Sequence, residues 1–161
     1  MAAEEEFINT VKANEGIIYK IVRLYTFNRE DEQDLYQEIV YQLWKSFKSF
    51  KNYSKISTWI YKIALNTSIS HLRKEKRRGR KITFEDLILQ TTEHEDREKK
   101  EKIETLYSEI KKLNPIDKGI MLLYLEGNNY EELATITGFT YSNIATRLSR
   151  IKQKLTLKIK I

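Results

Sequence analysis

The chain has 161 residues, enough for one medium domain or two small ones with a real apolar core. Its formal net charge of +6 at pH 7 favours an acidic partner, either nucleic acid or an anionic membrane surface. The absence of cysteine excludes disulfides and thiolate zinc sites, and no GxxxxGK or GxGxxG loop is present to hold phosphate groups.

Residues 3–25 are predicted to form the first helix. Phe7, Val11, Ile18 and Leu24 recur near helical spacing, and three glutamates at the start suit the positive end of the helix dipole. The opening residues, MAAEEEF, lack the basic flank and apolar stretch of a signal peptide. We therefore expect a cytoplasmic protein.

A second helix is predicted after Asn28, whose side chain can cap it. Its apolar stripe comprises Leu35, Ile39, Leu43 and Phe47. Its polar face comprises Asp34, Gln37, Glu38 and Tyr41. Spacing alone favours solvated surface over a protein-docking face for these polar residues.

A third helix is predicted to begin near Trp59, with Ser57 or Thr58 as its cap. It ends in a basic run, residues 73–81, which holds seven basic residues and one acidic residue. Such a run beside aromatic residues favours contact with nucleic acid over a solvated helix end.

The aromatic residues around this third helix have two interpretations. Phe47 and Trp59 are expected at the rim of the core. Phe50, Tyr53 and Tyr61 lie among lysines and serines, so they are candidates for exposed groups that stack on unpaired bases.

The charge pattern predicts two positive modules joined by an acidic connection. Residues 1–81 hold 16 basic and 10 acidic side chains, residues 82–112 hold 6 and 9, and residues 113–161 hold 7 and 4. We predict an all-α protein with two small helical domains, residues 1–80 and 98–161, joined by a linker over residues 81–97.

The second domain is predicted to begin with a helix over residues 98–112. Asn114 and Pro115 then form a cap and first-turn pair, which begins a helix that ends at a glycine. Asn129 and Glu132 form a capping-box pattern at the start of the short helix YEELATIT.

The last two helices have the pattern of a helix-turn-helix. Gly138 makes the turn, Thr140 caps a long helix, and Phe139 and Ile144 fill a small core. The outward face of the long helix carries Ser142, Asn143, Thr146, Ser149 and Arg150, with Arg147 on its flank. Small polar and arginine side chains there favour reading of the DNA major groove over a three-helix packing unit.

Metal sites, catalysis and membrane insertion are not expected. His71 and His94 lack a ligand-like pattern around them, and no catalytic apparatus or cofactor motif is evident. The longest apolar run, residues 120–125, is too short to span a bilayer.

With both halves read, the chain resembles sigma factors of the sigma-70 family, and specifically their extracytoplasmic-function (ECF) group. The resemblance covers nearly the whole chain. It rests on DLYQEIVYQLW, then STWIYKIALN with its basic tail, then LNPIDKGIMLLYLEGNNYEELATITGFTYSNIATRLSRIKQKL. It implies a non-enzymatic factor that binds core RNA polymerase, directs it to promoters and promotes DNA opening.

The resemblance also implies roles for individual residues. Region 2 of the family docks on the beta-prime clamp helices of the polymerase, which assigns core binding to Asp34, Gln37, Glu38 and Tyr41 and reverses the interpretation as solvated surface. Recognition and melting of the promoter −10 element falls to Phe50, Asn52, Tyr53, Ser54, Lys55, Trp59, Lys62, Asn66 and Arg73. Region 4 of the family reads the −35 element, and the resemblance assigns this role to Ser142, Asn143, Thr146, Arg147 and Arg150. The implied partners are core polymerase, including its beta flap, promoter DNA and an anti-sigma factor.

Departures from the family pattern concern promoter preference, and Tyr141 and Asn143 are two unusual residues among them. Ser70 stands where the family usually has aspartate, and Ala145 stands where a basic residue is frequent, so a preference cannot be copied from relatives. Two other functions stay open. A free-standing helix-turn-helix regulator would bind a palindromic duplex tightly without polymerase, and a nuclease would need clustered metal-binding carboxylates in a basic cleft.

Overall fold

The computed structural model describes residues 2–50, 55–77 and 97–159, and all regular structure within these ranges is helical. The all-α prediction is therefore confirmed. The chain divides into two units, Met1–Arg80 and Lys81–Ile161. The predicted linker, residues 81–97, lies almost entirely outside the described residues. Within the described ranges, no helix combines the length and apolar character needed to cross a membrane.

The described residues of the first unit form four helices: α1 (Ala2–Ala13), α2 (Glu15–Tyr25), α3 (Arg29–Phe47) and α4 (Ile56–Arg77). Its core consists of aliphatic side chains from α2, α3 and α4 that solvent does not reach: Ile18, Leu24, Leu35, Ile39, Leu43, Ile60 and Ala64. α4 packs against both α2 and α3, while α1 contacts α2 and α3 and adds the buried ring of Phe7. Burial of these apolar faces is what stabilises the helices.

The prediction of one helix over residues 3–25 is wrong, because the helix is interrupted at Asn14. The Asn14 N–H donates to the Val11 carbonyl at 3.1 Å, and the Asn14 side-chain amide donates to the Thr10 carbonyl at 2.9 Å. These bonds to preceding carbonyls replace the regular helical ladder at this point. α2 then begins as a separate helix, so α1 can pack Phe7 against α3 without continuing the axis of α2.

The start of α4 also differs from the prediction. The helix begins at Ile56, and its first turn is closed by the Trp59 N–H, which donates to the Lys55 carbonyl at 3.2 Å. Ser57 and Thr58 therefore lie inside the first turn and are not its cap. Thr58 is buried, so packing of the first turn against the rest of the unit sets this boundary rather than a capping side chain.

In the second unit, the part that the structure describes forms α5 (Arg97–Lys111), α6 (Pro115–Leu125), α7 (Tyr130–Thr137) and α8 (Tyr141–Lys158). Its core comprises Ile110, Ile120, Leu123, Leu133, Ile136, Ile144, Leu148 and Ile151. α8 contacts α5, α6 and α7. The fully buried residues of α8 recur at steps of four, three and four, so its opposite face is left to solvent.

The predicted helix boundaries of this unit are confirmed where they depend on local capping. Asn114 accepts from the Asp117 N–H at 2.8 Å, with Pro115 in the first turn of α6. Asn129 and Glu132 make both bonds of the capping box. Gly138 ends α7 with φ of 81°, the left-handed conformation that glycine adopts without steric cost.

The apolar side chains of α5 are only partly buried. Ile110 is almost completely buried, whereas Ile103 is 64% exposed. Burial rises along the helix because its C-terminal part contacts the rest of the unit: Glu109 lies 3.8 Å from the ammonium of Lys158 at the end of α8.

Candidate nucleic-acid and protein interfaces

The polar face of α3 is open to solvent. Asp34, Gln37 and Glu38 are exposed, and Tyr41 is 54% exposed. Glu38 accepts a hydrogen bond from Gln42 at 3.0 Å, and the Tyr41 ring lies 5.4 Å from the Lys45 ammonium. The apolar stripe of α3 faces the opposite way into the core, so these polar groups are available to a partner.

An apolar groove lies beside this polar face. It encloses about 360 Å³ and is lined by Phe7, Tyr36, Gln37, Val40, Tyr41 and Trp44. The Tyr36 ring stacks on Tyr19 with centroids 4.6 Å apart. Burial, together with the negative charge of Glu15, raises the pKa of Tyr36. The sequence reasoning missed this groove, because its walls come from helices that are distant in sequence.

The aromatic residues near the start of α4 form one cluster. The Trp59 ring lies 5.0 Å from Phe50 and 6.1 Å from Phe47, measured between centroids. Phe47 and Trp59 are half-buried, as expected at the rim of the core. Phe50 and Tyr61 were expected to be exposed, but both are half-buried, and Phe50 packs against Trp59.

The outer face of α4 carries a continuous polar stripe that ends in basic residues. Its members are all exposed and recur at steps of four, four, three and four: Lys62, Asn66, Ser70, Arg73 and Arg77. Lys55, just before the helix, is also exposed. Because residues at these steps lie on one side of a helix, a single strand or duplex could contact the stripe along its length.

The inner side of the same helix carries His71, whose Nε2 lies 2.9 Å from Oδ1 of the buried Asp31. The hydrogen bond to Asp31 raises the pKa of His71, although burial opposes this effect. Glu75 is also close, with ligand atoms of the three residues within 4.8 Å of one another. The sequence pattern around His71 gave no sign of this pair, because Asp31 is forty positions away in sequence.

The outward face of α8 presents four of the five side chains assigned to DNA reading. Ser142, Asn143, Thr146 and Arg150 are exposed. Thr140 caps the helix by accepting from the Asn143 N–H at 3.1 Å. The predicted reading face is therefore accessible and begins within the first turn of the helix.

Arg147, the fifth residue, is half-buried and held by three groups of its own unit. Its Nη1 donates to Oδ1 of Asp117 at 2.9 Å, and its Nε donates to Oδ1 of Asn143 at 2.7 Å. Its guanidinium carbon lies 4.7 Å from the centroid of the Phe139 ring. The guanidinium is thus engaged within the helix-turn-helix.

A row of tyrosines, also missed in the sequence, borders the reading helix. Tyr124, Tyr130 and Tyr141 follow one another with centroid distances of 6.2 and 5.5 Å. Lys152 donates to the Tyr124 hydroxyl at 3.1 Å, and this hydrogen bond raises the pKa of Lys152. The row anchors the start of α8 to α6 and α7.

Comparison with known proteins decides the family. The model of sigma-70 region 2 matches residues 10–78, and the model of sigma-70 region 4 matches residues 103–155. RNA polymerase sigma factor YlaC from Bacillus subtilis is 30% identical over 146 residues, covering 85% of this chain and 84% of that protein. The chain belongs to the sigma-70 family of RNA polymerase sigma factors.

Within that family, this sigma factor belongs to the ECF group. It is 28% identical to the ECF RNA polymerase sigma-E factor of Haemophilus influenzae over 148 residues, covering 82% of this chain and 76% of that protein. Its fold is similar to that of the sigma factor RpoE from Bartonella quintana, solved with the anti-sigma factor NepR. That match has a TM-score of 0.74 at 20% identity and covers 98% of this chain and 96% of that chain.

The sigma factor thus brings most of its predicted site residues to solvent as three separate surfaces. We call them the α3 face (Asp34, Gln37, Glu38 and Tyr41), the α4 stripe (Lys62, Asn66, Ser70, Arg73 and Arg77) and the α8 face (Ser142, Asn143, Thr146 and Arg150). Asn52, Tyr53 and Ser54 lie outside the described residues.

Proposed function

We propose that this sigma factor binds core RNA polymerase through the α3 face, helps to open promoter DNA through the α4 stripe and its neighbouring aromatic residues, and reads the upstream promoter element through the α8 face. The observation that carries the proposal is the exposure of three polar side chains on a helix whose opposite face is buried. The exposed residues are Asp34, Gln37 and Glu38, and the buried ones are Leu35, Ile39 and Leu43. The fold leaves these groups free for a partner.

The α3 face fits a polar, helical partner such as the beta-prime clamp helices of the polymerase. Asp34 and Glu38 supply negative charge one helical turn apart, and Gln37 and Tyr41 supply hydrogen-bonding groups between and beyond them. The adjoining groove can accept an apolar side chain from the same partner. A polar contact next to an apolar pocket is the usual composition of a specific protein interface.

The α4 stripe suits the −10 element. Lys62, Arg73 and Arg77 attract phosphates, while Asn66 can hydrogen-bond to a base or sugar. The Trp59 and Phe50 rings lie near the start of the same helix, where an unpaired base can stack. Flipping one base costs a few kcal/mol, and one stacking contact returns about 1–3 kcal/mol. Binding to polymerase must supply the remainder, so we expect weak binding of promoter duplex by the isolated sigma factor.

For strand opening we retain the resemblance-based assignments, including Lys55 and the residues Asn52, Tyr53 and Ser54. We also assign contact with the beta flap to the second unit on the same basis. The sigma factor then acts as an initiation factor in the cytoplasm without a reaction of its own.

We further propose that an anti-sigma factor regulates this protein by covering the α3 face. Support comes from RpoE of Bartonella quintana, a protein of similar fold that was solved in complex with the anti-sigma factor NepR. A protein that covers Asp34 and Glu38 would compete directly with core polymerase.

Transcription with sigma-free bacterial core polymerase tests the proposed function. The purified protein is mixed with core polymerase and a pool of genomic promoter fragments, and transcripts are sequenced. We expect promoter-specific transcripts, and a large loss of core binding for the double variant Asp34→Asn/Glu38→Gln. The matched control is Glu4→Gln/Glu5→Gln, which removes two exposed carboxylates from α1. An absence of transcripts, together with tight duplex binding that needs no polymerase, would contradict the proposal.

A further inference from the structure

Arg147 differs from the other residues assigned to the upstream element because its guanidinium is already bound. Asp117, Asn143 and the Phe139 ring occupy it from three directions. We propose that Arg147 is a positioning residue, which holds the Asn143 side chain so that its amide N–H groups, rather than its oxygen, face the promoter. This inference rests on the proposed function of α8.

The chemistry of the contact fixes the orientation of the Asn143 amide. An arginine side chain has only donors, so the atom of Asn143 that lies 2.7 Å from Arg147 Nε must be its oxygen. The Nδ2 group of Asn143 then lies on the other side of the amide. Asn143 is exposed in the first turn of α8, the part of a reading helix that contacts base edges.

Asp117 holds Arg147 in place from behind. Its Oδ1 accepts from Arg147 Nη1 at 2.9 Å, and its Oδ2 accepts from Asn114 Nδ2 at 2.8 Å. Asn114 also caps α6, so this carboxylate is fixed in the first turn of that helix. The resulting chain of contacts runs from the start of α6 to the outward face of α8. Both hydrogen bonds are charge-assisted, and together they hold the Nε and Nη1 groups of the guanidinium.

The orientation of Asn143 has a consequence for base selection. In the major groove guanine, adenine and thymine each present an acceptor, whereas cytosine presents only its N4 amino donor. An amide that presents N–H groups can therefore donate a hydrogen bond to guanine, adenine or thymine, and it discriminates against cytosine. If Arg147 no longer binds the oxygen, the amide can turn, and its oxygen can accept from cytosine. We expect discrimination against cytosine at this position to fall by about 2- to 10-fold, the range of one net hydrogen bond.

The experiment measures base preference at every position of the upstream element. Full-length protein and core polymerase transcribe a promoter pool whose upstream element is randomised, and the relative use of each base is determined by sequencing. The variants are Asn143→Ala, Arg147→Ala, Asp117→Asn and the double variant Asp117→Asn/Asn143→Ala. The matched control is Glu131→Gln, which removes an exposed first-turn carboxylate from α7. Thermal unfolding by circular dichroism verifies that each variant folds.

The inference predicts that Asn143→Ala, Arg147→Ala and Asp117→Asn all relax the same base position. The double variant should relax it no further than Asn143→Ala alone, and Glu131→Gln should keep the wild-type profile. Asp117→Asn is the decisive variant, because Asp117 lies behind Arg147 and replacing its carboxylate by an amide hardly changes its shape.

Three results would overturn the inference. Arg147→Ala could relax a different position from Asn143→Ala, which would mean that the guanidinium contacts a base itself. Asp117→Asn could keep the wild-type profile, or the variants could lose activity equally at all positions, which would mean a structural role only. If the wild-type protein transcribes the pool without any upstream preference, the proposed function of α8 fails as well, and that result differs from the other three.

Discussion

His71 on α4 and Asp31 in the first turn of α3 form an ion pair across the core of the first unit, with 2.9 Å between Nε2 and Oδ1. Asp31 is buried, and only 16% of the His71 side chain is exposed. The pair therefore fixes the helix that carries the α3 face relative to the helix that carries the α4 stripe.

This pair predicts a pH dependence of stability. The pKa of His71 is raised in the folded protein, mainly by Asp31 and further by the nearby negative charges of Glu75 and Asp34, against the opposing effect of burial. The stabilisation is fully present below the ordinary histidine pKa of about 6.5 and is lost as pH rises through the raised pKa. We expect the free energy of unfolding to fall over that range.

Urea unfolding followed by tryptophan fluorescence measures this effect selectively, because both tryptophans, Trp44 and Trp59, lie in the first unit. His71→Gln should remove the contribution of His71 to the change of the free energy of unfolding with pH. An unchanged slope in that variant would contradict the assignment.

The core of the first unit should be sensitive to loss of volume at Ile39. This side chain is fully buried on α3, and Ile39→Ala removes its methylene and methyl groups and leaves a cavity. We expect a loss of about 2–5 kcal/mol in the free energy of unfolding, measured by urea titration. Ile8→Ala is the matched control, since Ile8 is 50% exposed, and it should change stability by less than about 0.5 kcal/mol. Equal effects of the two substitutions would show that Ile39 is not a core residue in solution.

Two substitutions of glycine by alanine should have opposite effects on the free energy of unfolding. Gly138 has φ of 81°, so Gly138→Ala forces a side chain into the left-handed region and should destabilise the second unit by about 1–2 kcal/mol. Gly16 is the second residue of α2, and a Cβ added there would meet no other atom within 4 Å, so Gly16→Ala should stabilise the first unit by about 0.5–1 kcal/mol. Denaturant titrations followed by circular dichroism test both values. Destabilisation by Gly16→Ala would contradict the helical assignment at that position.

The α4 stripe should contribute to the salt dependence of promoter binding. If Lys62 and Arg73 contact phosphates, replacing either by alanine lowers the slope of log K against log salt concentration by about 0.7–0.9. Holoenzyme binding to a promoter fragment at several potassium chloride concentrations measures the slope. Lys12→Ala, at the exposed end of α1, is the control and should leave it unchanged. If all three variants show the same salt dependence of binding, the α4 stripe does not contact DNA phosphates.

The sequence predicted those features that depend on neighbouring residues. Asn28, Asn114 and the Asn129–Glu132 pair cap their helices as expected, because a capping side chain bonds to a backbone group three positions away. Gly138 could be assigned for a similar reason, since few residues other than glycine adopt its conformation readily.

The features that sequence reasoning missed depend on contacts between distant segments. Arg147 meets Asp117 thirty positions away, and His71 meets Asp31 forty positions away, so spacing along one helix gave no sign of either pair. The same holds for Phe50, which was expected to be exposed: its packing on Trp59 joins the end of α3 to the start of α4.

The aromatic contacts of Phe7 have a practical consequence for the design of protein variants. Its ring lies 5.0 Å from Trp44 and 5.3 Å from Phe47, so α1 closes one wall of the groove beside the α3 face. Truncation of the first dozen residues would remove Phe7, uncover the rings of Trp44 and Phe47, widen that groove and favour self-association. Affinity tags are therefore better attached at the opposite terminus, and shortened versions should retain α1.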